Sequence, residues 1–534
     1  MFARLKALGQ DWSDNPADMP TSRKFLIFWV MAFGQFMALF DIQIVSASLN
    51  DVQAGLAAGP DEISWVQTAY LMAELIMIPL SGYLSQAMST RWLFSMSAGF
   101  FTLSSLLCGF SWNIESMIAF RAIQGFTGGA MVPLVFATGF TIFKGKQLAI
   151  IPAILGMVGV VAPTLGPTVG GLITQGMDWR WLFFVNIVPG IIVTVLSTIV
   201  VRVNRPNFGL LRRIDWSHFA AMAIALAGLQ FILEEGPKKE WFGDEHIALA
   251  GWFSLVAAAL FFQRSFFSDN PIVKLSPFRR PIFAFSCVFS FVIGYGMYAS
   301  IYLLPVYLGR IRGFDSLEIG TTVFVVGLAQ IFSTIISAKL VERVDPRFVI
   351  TAGLLLFAWS LWLTSEMSSQ WGFWELAFPQ IIRGLSLMLC IVPTIRMGLG
   401  SVTPQELPFA SGLINLTRNL GGAVGIAVMN TQLQDHARIA ALRFGEAMGH
   451  QSANTAQAVG ELAQRMSAIT PDPAYALLLA QGYLARLVGR ESLTIAFDDA
   501  FRLMAWMFLA ALVMVPFCRP DKNAPAPPPD AAAH

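Results

Sequence analysis

The amino-acid sequence predicts an all-α membrane protein that crosses the bilayer fourteen times, as two six-helix halves with two extra helices inserted between them. Three observations predict it. Hydrophobic residues make up 55% of the 534-residue chain and charged ones 13%, with a mean hydropathy of +0.62. A soluble domain carries about 25% charged residues to keep its surface wet, so this chain is solvated by something apolar. Apolar runs recur at roughly 20 residues, the length a helix needs to cross hydrocarbon. Finally, two stretches 256 residues apart resemble each other.

In chain order the apolar runs fall at 25–47, 64–86, 92–111, 115–142, 148–174 and 181–201 for the first half. Runs 215–234 and 247–267, parted by the polar stretch 234–246, form the inserted pair. The second half follows at 281–307, 316–339, 347–366, 374–396, 408–431 and 498–518. The domains are therefore a terminus over 1–24, a half over 25–201, the linking pair with its flanking loops over 202–280, and a half over 281–518. Segment 432–497 is long, polar and Ala-rich, with helical spacing, and is expected to stand outside the membrane as one or two helical arms. The Pro/Ala-rich tail 519–534 is expected to be disordered.

Charge sets the orientation. With the N-terminus in the cytoplasm, most loop lysines and arginines lie inside, including Arg23, Lys24, Arg205, Arg212, Arg213, Arg279 and Arg280. The short outer loops hold Arg180, Lys238, Lys239, Arg310 and Arg312, so the positive-inside bias places both termini in the cytoplasm. Arg23 and Lys24 precede an apolar run too long for a cleaved signal, which reads as a retained first span. The net charge of +2 gives no basis for nucleic-acid binding. Cys108, Cys287, Cys390 and Cys518 lack paired spacing, which argues against disulfides and a zinc site.

The repeat aligns Ser81 with Ser337, Leu84 with Leu340, Arg91 with Arg347 and Trp92 with Phe348, while AIQGF (122–126) pairs loosely with IIRGL (381–385). Duplicated halves in membrane proteins place a substrate site at their interface, near the bilayer midplane.

Charge inside a span costs at least ~2.5–3.5 kcal/mol, so a residue that keeps it faces a cavity, pairs or carries ions. Asp41, Glu74 and Arg121 all fall in the outer half of the bilayer, roughly 9–15 Å deep at 1.5 Å per residue. At matching depth a carboxylate and a guanidinium can meet in one cavity and hold an exchangeable proton, or Arg121 can form an ion pair that only fixes packing. In the second half Arg383, Asn415 and Arg418 lie within spans; the last two share a helix face, and a structural or substrate-orienting role is expected for them. No histidine lies deep in a span, which argues against a histidine relay. Gly166, Pro167, Gly170 and Gly171 in the fifth span make a sliding or hinging contact, or merely tight packing. The spans carry no nucleotide loop, metal cluster or Ser/His/Asp set, which argues against an enzyme.

At these residues the sequence resembles the major facilitator superfamily, specifically its fourteen-span drug:proton antiporter branch of EmrB/QacA type. Asp41 matches the acidic position of the family's first helix, and Arg121, Gln124 and Gly125 match its fourth-span Arg-x-x-Gln-Gly. Gly166, Pro167, Gly170 and Gly171 match the fifth-span signature of the family's exporters. Trp179 to Gly190 resembles the opening of the branch's sixth helix, and Asn415, Arg418, Asn419, Gly421 and Gly422 its thirteenth-helix pattern. One motif departs: in the loop after the second span, Gln86 and Ser89 stand where the family has Asp and Gly. The resemblance implies the family's fold, no cofactor, drive by the proton gradient, and efflux of amphipathic or aromatic toxic compounds by alternating access. It equally fits export of a metabolite, siderophore, aromatic acid or lipid. It also implies a bacterial inner membrane, and an adaptor of membrane-fusion type with an outer-membrane channel as partners for 432–497.

Overall fold

The computed structural model describes residues 15–268, 271–314, 316–447, 453–468, 470 and 472–518. The tail 519–534 and the first fourteen residues, for which disorder and a cytoplasmic position were expected, lie outside the described residues.

The described chain is helical nearly throughout. The first half comprises α1 (Thr21–Ala47), a short α2 (Leu49–Leu56), α3 (Pro60–Met88), α4 (Thr90–Gly109), α5 (Ile114–Gly128), α6 (Met131–Ile142), α7 (Ile150–Gly176), α8 (Trp181–Phe184) and α9 (Ile187–Val200). Helices α5 and α6 together make the fourth apolar run, broken at Gly129 and Ala130. Next come α10 (Trp216–Glu235) and α11 (Glu245–Phe267), the inserted pair. The second half comprises α12 (Pro281–Tyr307), α13 (Ser316–Arg343), α14 (Pro346–Thr364), α15 (Phe373–Gly400), α16 (Leu407–Ala447), α17 (Ala453–Met466) and α18 (Pro473–Leu512).

Helix starts follow local chemistry. Asp215 accepts from the His218 amide at 3.1 Å and Asp244 from the His246 amide at 2.9 Å, capping donors that the first turns of α10 and α11 cannot satisfy internally. A hydrogen bond from the Ser217 hydroxyl holds the Asp215 carboxyl below the usual range. Pro281, Pro346 and Pro473 open their helices at a position where the missing N–H costs nothing.

Among the described residues, twelve helical segments are long and apolar enough to cross a membrane by length and composition, with α5 and α6 counted as one and α8 and α9 as another. The other two of the fourteen expected runs are α7, of 27 residues, and α16, of 41. Asn415, Arg418 and Asn419 make the bundle-embedded part of α16 polar. Large apolar side chains such as Trp252, Phe266 and Phe332 stand exposed on the outer face, as a lipid-solvated surface requires. The described residues of segment 432–497 are largely helical: they hold the end of α16, the whole of α17 and the start of α18, α17 packs along α18, and His436 Nδ1 lies 2.8 Å from Asp499 Oδ2.

The halves share one packing plan. In the first, α1 packs on α7, α3 on α5 and α4 on α9; in the second, α12 packs on α16, α13 on α15 and α14 on α18. The halves meet reciprocally, α3 against α16 and α7 against α13. Close backbone approach fixes the register. A Cβ on Gly125 would sit 2.2 Å from the Tyr70 carbonyl oxygen, and one on Gly384 would sit 2.5 Å from that of Val326. Val326 follows Tyr70 by 256 positions, the spacing of the sequence repeat. The inserted α10 packs against α3 and, less extensively, α16, so the extra pair lies beside the seam between the halves.

Candidate functional site

A polar network is sealed inside the first half. Asp41, Arg121 and Gln124 are each 0% exposed, and Asn186 is 2%. Arg121 Nη1 donates to Asp41 Oδ2 at 2.6 Å, while Gln124 Nε2 and Asn186 Nδ2 donate to Oδ1 at 3.0 and 2.7 Å. Both carboxylate oxygens are thus held by three donors from α5 and the turn entering α9. Arg121 Nη1 also reaches Gln124 Oε1 at 2.8 Å, and its Nε donates to the Val66 carbonyl at 3.3 Å. The Tyr70 ring lies 4.3 Å beneath the guanidinium. Asn186 passes the network on to Ser105 at 3.2 Å. Charge and hydrogen bonds are saturated around Asp41, except that Arg121 Nη2 has no acceptor among the described residues. A buried pair of this kind is costly to break from one side, because the partner is left charged and unsolvated.

Asp41 and Arg121 therefore meet, as matching depth suggested. Glu74 stands apart: it is 6% exposed, has no hydrogen-bond partner among the described residues, and is acted on by the charges of both Arg121 and Arg418. It thus senses a residue of each half. Arg418 hydrogen-bonds through Nη2 to Asn415 Oδ1, one helical turn earlier, and Asn415 Nδ2 donates to the Ser411 carbonyl at 2.9 Å. Ser411 in turn donates to the Pro133 carbonyl of the first half at 2.7 Å.

Glycines set how closely helices approach here. Cβ atoms on Gly166 and Gly170 would lie 2.4 Å from Gln43 Cβ and 2.9 Å from the Ile44 carbonyl oxygen, which presses α7 against the Asp41 segment of α1. Gly171 is half-buried on the next face; of Pro167 the backbone alone is described, within α7. On α16, Gly421 and Gly425 make the corresponding close contacts with the carbonyls of Phe291 and Tyr295 on α12.

The loop after the second span carries Gln86 and Ser89 where the family motif has Asp and Gly. Ser89 adopts φ +73°, ψ 153°, a conformation that costs any residue but glycine. Gln86 Nε2 donates to the Gln405 carbonyl of the other half at 3.0 Å, a neutral link in place of a charged one. Arg91 Nε donates to the Thr198 carbonyl at 2.6 Å, near the end of α9.

Arg383 is 5% exposed and lines a small, partly open cleft of about 30 Å³ between α12, α13, α14 and α15. The sequence pointed to Arg383 but not to this cleft, to Tyr70 or to Ser105, and it placed Asn186 within the segment opening the sixth helix without a role. Asn186, a lone amide in the apolar stretch FFVNIVPG, was the available signal for the network's fourth member.

A sequence profile of the Major Facilitator Superfamily matches residues 31–426. A relative from Acinetobacter baumannii, the colistin resistance protein EmrB, is 35% identical over 93% of this chain and 96% of its own length. The chain belongs to the Major Facilitator Superfamily, in its EmrB-type branch. The multidrug export protein EmrB of Escherichia coli K12 is 28% identical over 92% of this chain and 95% of its own. The fatty acid resistance protein FarB of Neisseria gonorrhoeae is 26% identical over 84% of this chain and 89% of its own. Among solved structures, the human organic anion transporter MFSD10 overlays with a TM-score of 0.57 at 12% identity, covering 92% of this chain and all of that one. The proton:xylose symporter XylE gives 0.58 at 11%, covering 94% and 97%. At these identities the overlays speak to the fold alone.

Proposed function

We propose that this superfamily member is a proton-coupled efflux transporter of toxic amphipathic or aromatic compounds, working by alternating access across fourteen crossings with both termini in the cytoplasm. The single observation that carries the coupling is the sealed Asp41–Arg121 pair. Protonating Asp41 would leave a guanidinium buried without its counter-charge, so the network must rearrange whenever a proton arrives. Because its members come from α1, α5 and the turn entering α9, that rearrangement bears on how the half packs. Glu74, placed where charges of both halves act, is the second proton or substrate group of the reading. Export as the direction, and toxic compounds as cargo, are supported by what the names of the two EmrB relatives say of those proteins. The name of the FarB relative favours a second cargo reading, a fatty acid or similar lipid, on the same fold. The bacterial inner membrane and an adaptor docked on the helical arms of 432–497 complete the reading.

The experiment is transport by the purified full-length protein in proteoliposomes with an imposed pH gradient, across a panel of cationic dyes, aromatic acids and fatty acids. The wild-type chain moves at least one class of solute, and Asp41→Asn abolishes gradient-driven movement while inserting normally. Full gradient-driven transport by Asp41→Asn would remove Asp41 from the coupling.

A further inference from the structure

Repeat symmetry turns the second-half cleft into a chemical statement. Positions 121, 124 and 125 of the first half align with Gln380, Arg383 and Gly384. Gln380 Nε2 donates to the Thr322 carbonyl at 3.0 Å, as Arg121 Nε donates to that of Val66, and Thr322 follows Val66 by 256 positions. Arg383 thus occupies the place of Gln124, the residue that donates to Asp41. In the second half no such carboxylate waits. No Asp or Glu lines the cleft, and the Arg383 guanidinium has no hydrogen-bond acceptor among the described residues, its Nη1 being fully buried. Gln330, which follows Glu74 by 256 positions, lines the same cleft as a neutral amide. The remaining wall is apolar, with Leu304, Val323 and Phe357 among its members.

A buried guanidinium offers five donors and no acceptor, and a buried charge left without a partner is costly. We propose that this cleft is an anion-headed amphiphile site: Arg383 takes a carboxylate or phosphate group, and the apolar wall takes the first carbons of its tail. The two planar oxygens of such a head suit the guanidinium fork. This deepens the transport reading by naming a solute class for one half. Its test reads binding, so a failure of transport and a failure of this site are separate results.

The purified full-length protein is placed in phosphatidylcholine nanodiscs and titrated with decanoate and with decanol. Decanoate binds roughly tenfold tighter or more, the worth of one charge-assisted hydrogen bond set. Arg383→Gln brings decanoate down to the level of decanol, and its retained decanol binding shows that it is folded. Gln330→Glu, which supplies an internal carboxylate, removes the preference for decanoate with Arg383 still in place. Val323→Phe weakens both ligands alike by filling the wall. A second arm adds phosphatidylglycerol to the nanodiscs. Arg383-dependent competition against decanoate assigns the resident head group to lipid, and its absence assigns it to the free solute. Equal decanoate affinity in wild type and Arg383→Gln, with no Arg383-dependent retention of phosphatidylglycerol, overturns the site.

Discussion

The two halves fold alike and are filled differently. In the first, an arginine and a carboxylate close on each other, and the space between α1 and α5 is occupied by their own side chains. In the second, the homologous helices leave a small cleft of about 30 Å³ with an arginine facing into it and no acidic residue on its wall. Duplication explains the shared backbone: Gly125 and Gly384 touch carbonyls at positions 256 apart. Divergence explains the rest. One half has kept a self-contained ion pair, suited to taking up and releasing a proton, and the other presents an unmatched positive charge, suited to a ligand that brings its own negative one.

The largest test of this contrast is a pair of alanine substitutions. Arg121→Ala strands a buried carboxylate and should destabilise by about 3–5 kcal/mol, read as a drop in thermal midpoint in detergent. Arg383→Ala strands nothing, and should leave stability within about 1 kcal/mol or raise it. Equal losses would mean that Arg383 has an internal partner after all.

Next come the paired glycines. Gly125→Ala and Gly384→Ala each push a methyl against a backbone oxygen, an overpacking worth about 1–3 kcal/mol, and the tighter 2.2 Å approach should cost more than the 2.5 Å one. A reversed order would break the claim of shared register. The smallest effect is Ser89→Gly. The first half holds position 89 at φ +73°, whereas its repeat partner Asp345 sits at φ −53°. Relieving the first should stabilise by about 1 kcal/mol, and Asp345→Gly should not stabilise at all.

Much of this was legible in the sequence because lipid imposes a coarse rule: every run of apolar length became helical, most of them within a few residues of their expected ends, although α16 runs on to Ala447 and α18 already begins at Pro473. The pairing of Asp41 with Arg121 was legible too, since charges at matching depth have few other places to go. Glu74 shows the limit. Depth grouped it with the pair, yet it stays outside the hydrogen-bonded network while the charges of Arg121 and Arg418 both act on it, and apolar runs carry almost no periodicity from which a face could be read. Asn186 lies inside the 179–190 segment but stood out there by nothing, because an amide carries no burial cost as conspicuous as a charge. The cleft beside Arg383 was invisible for a different reason: empty space is a property of packing between four helices, and no residue type spells it.

The heart of the account is that Asp41 exchanges a proton as cargo binds. Adding a transported solute to the unbuffered, detergent-purified protein beside a pH-sensitive dye tests this without any membrane. The account predicts a proton signal from the wild-type chain that vanishes in Asp41→Asn while solute binding persists. An undiminished signal from Asp41→Asn would contradict it.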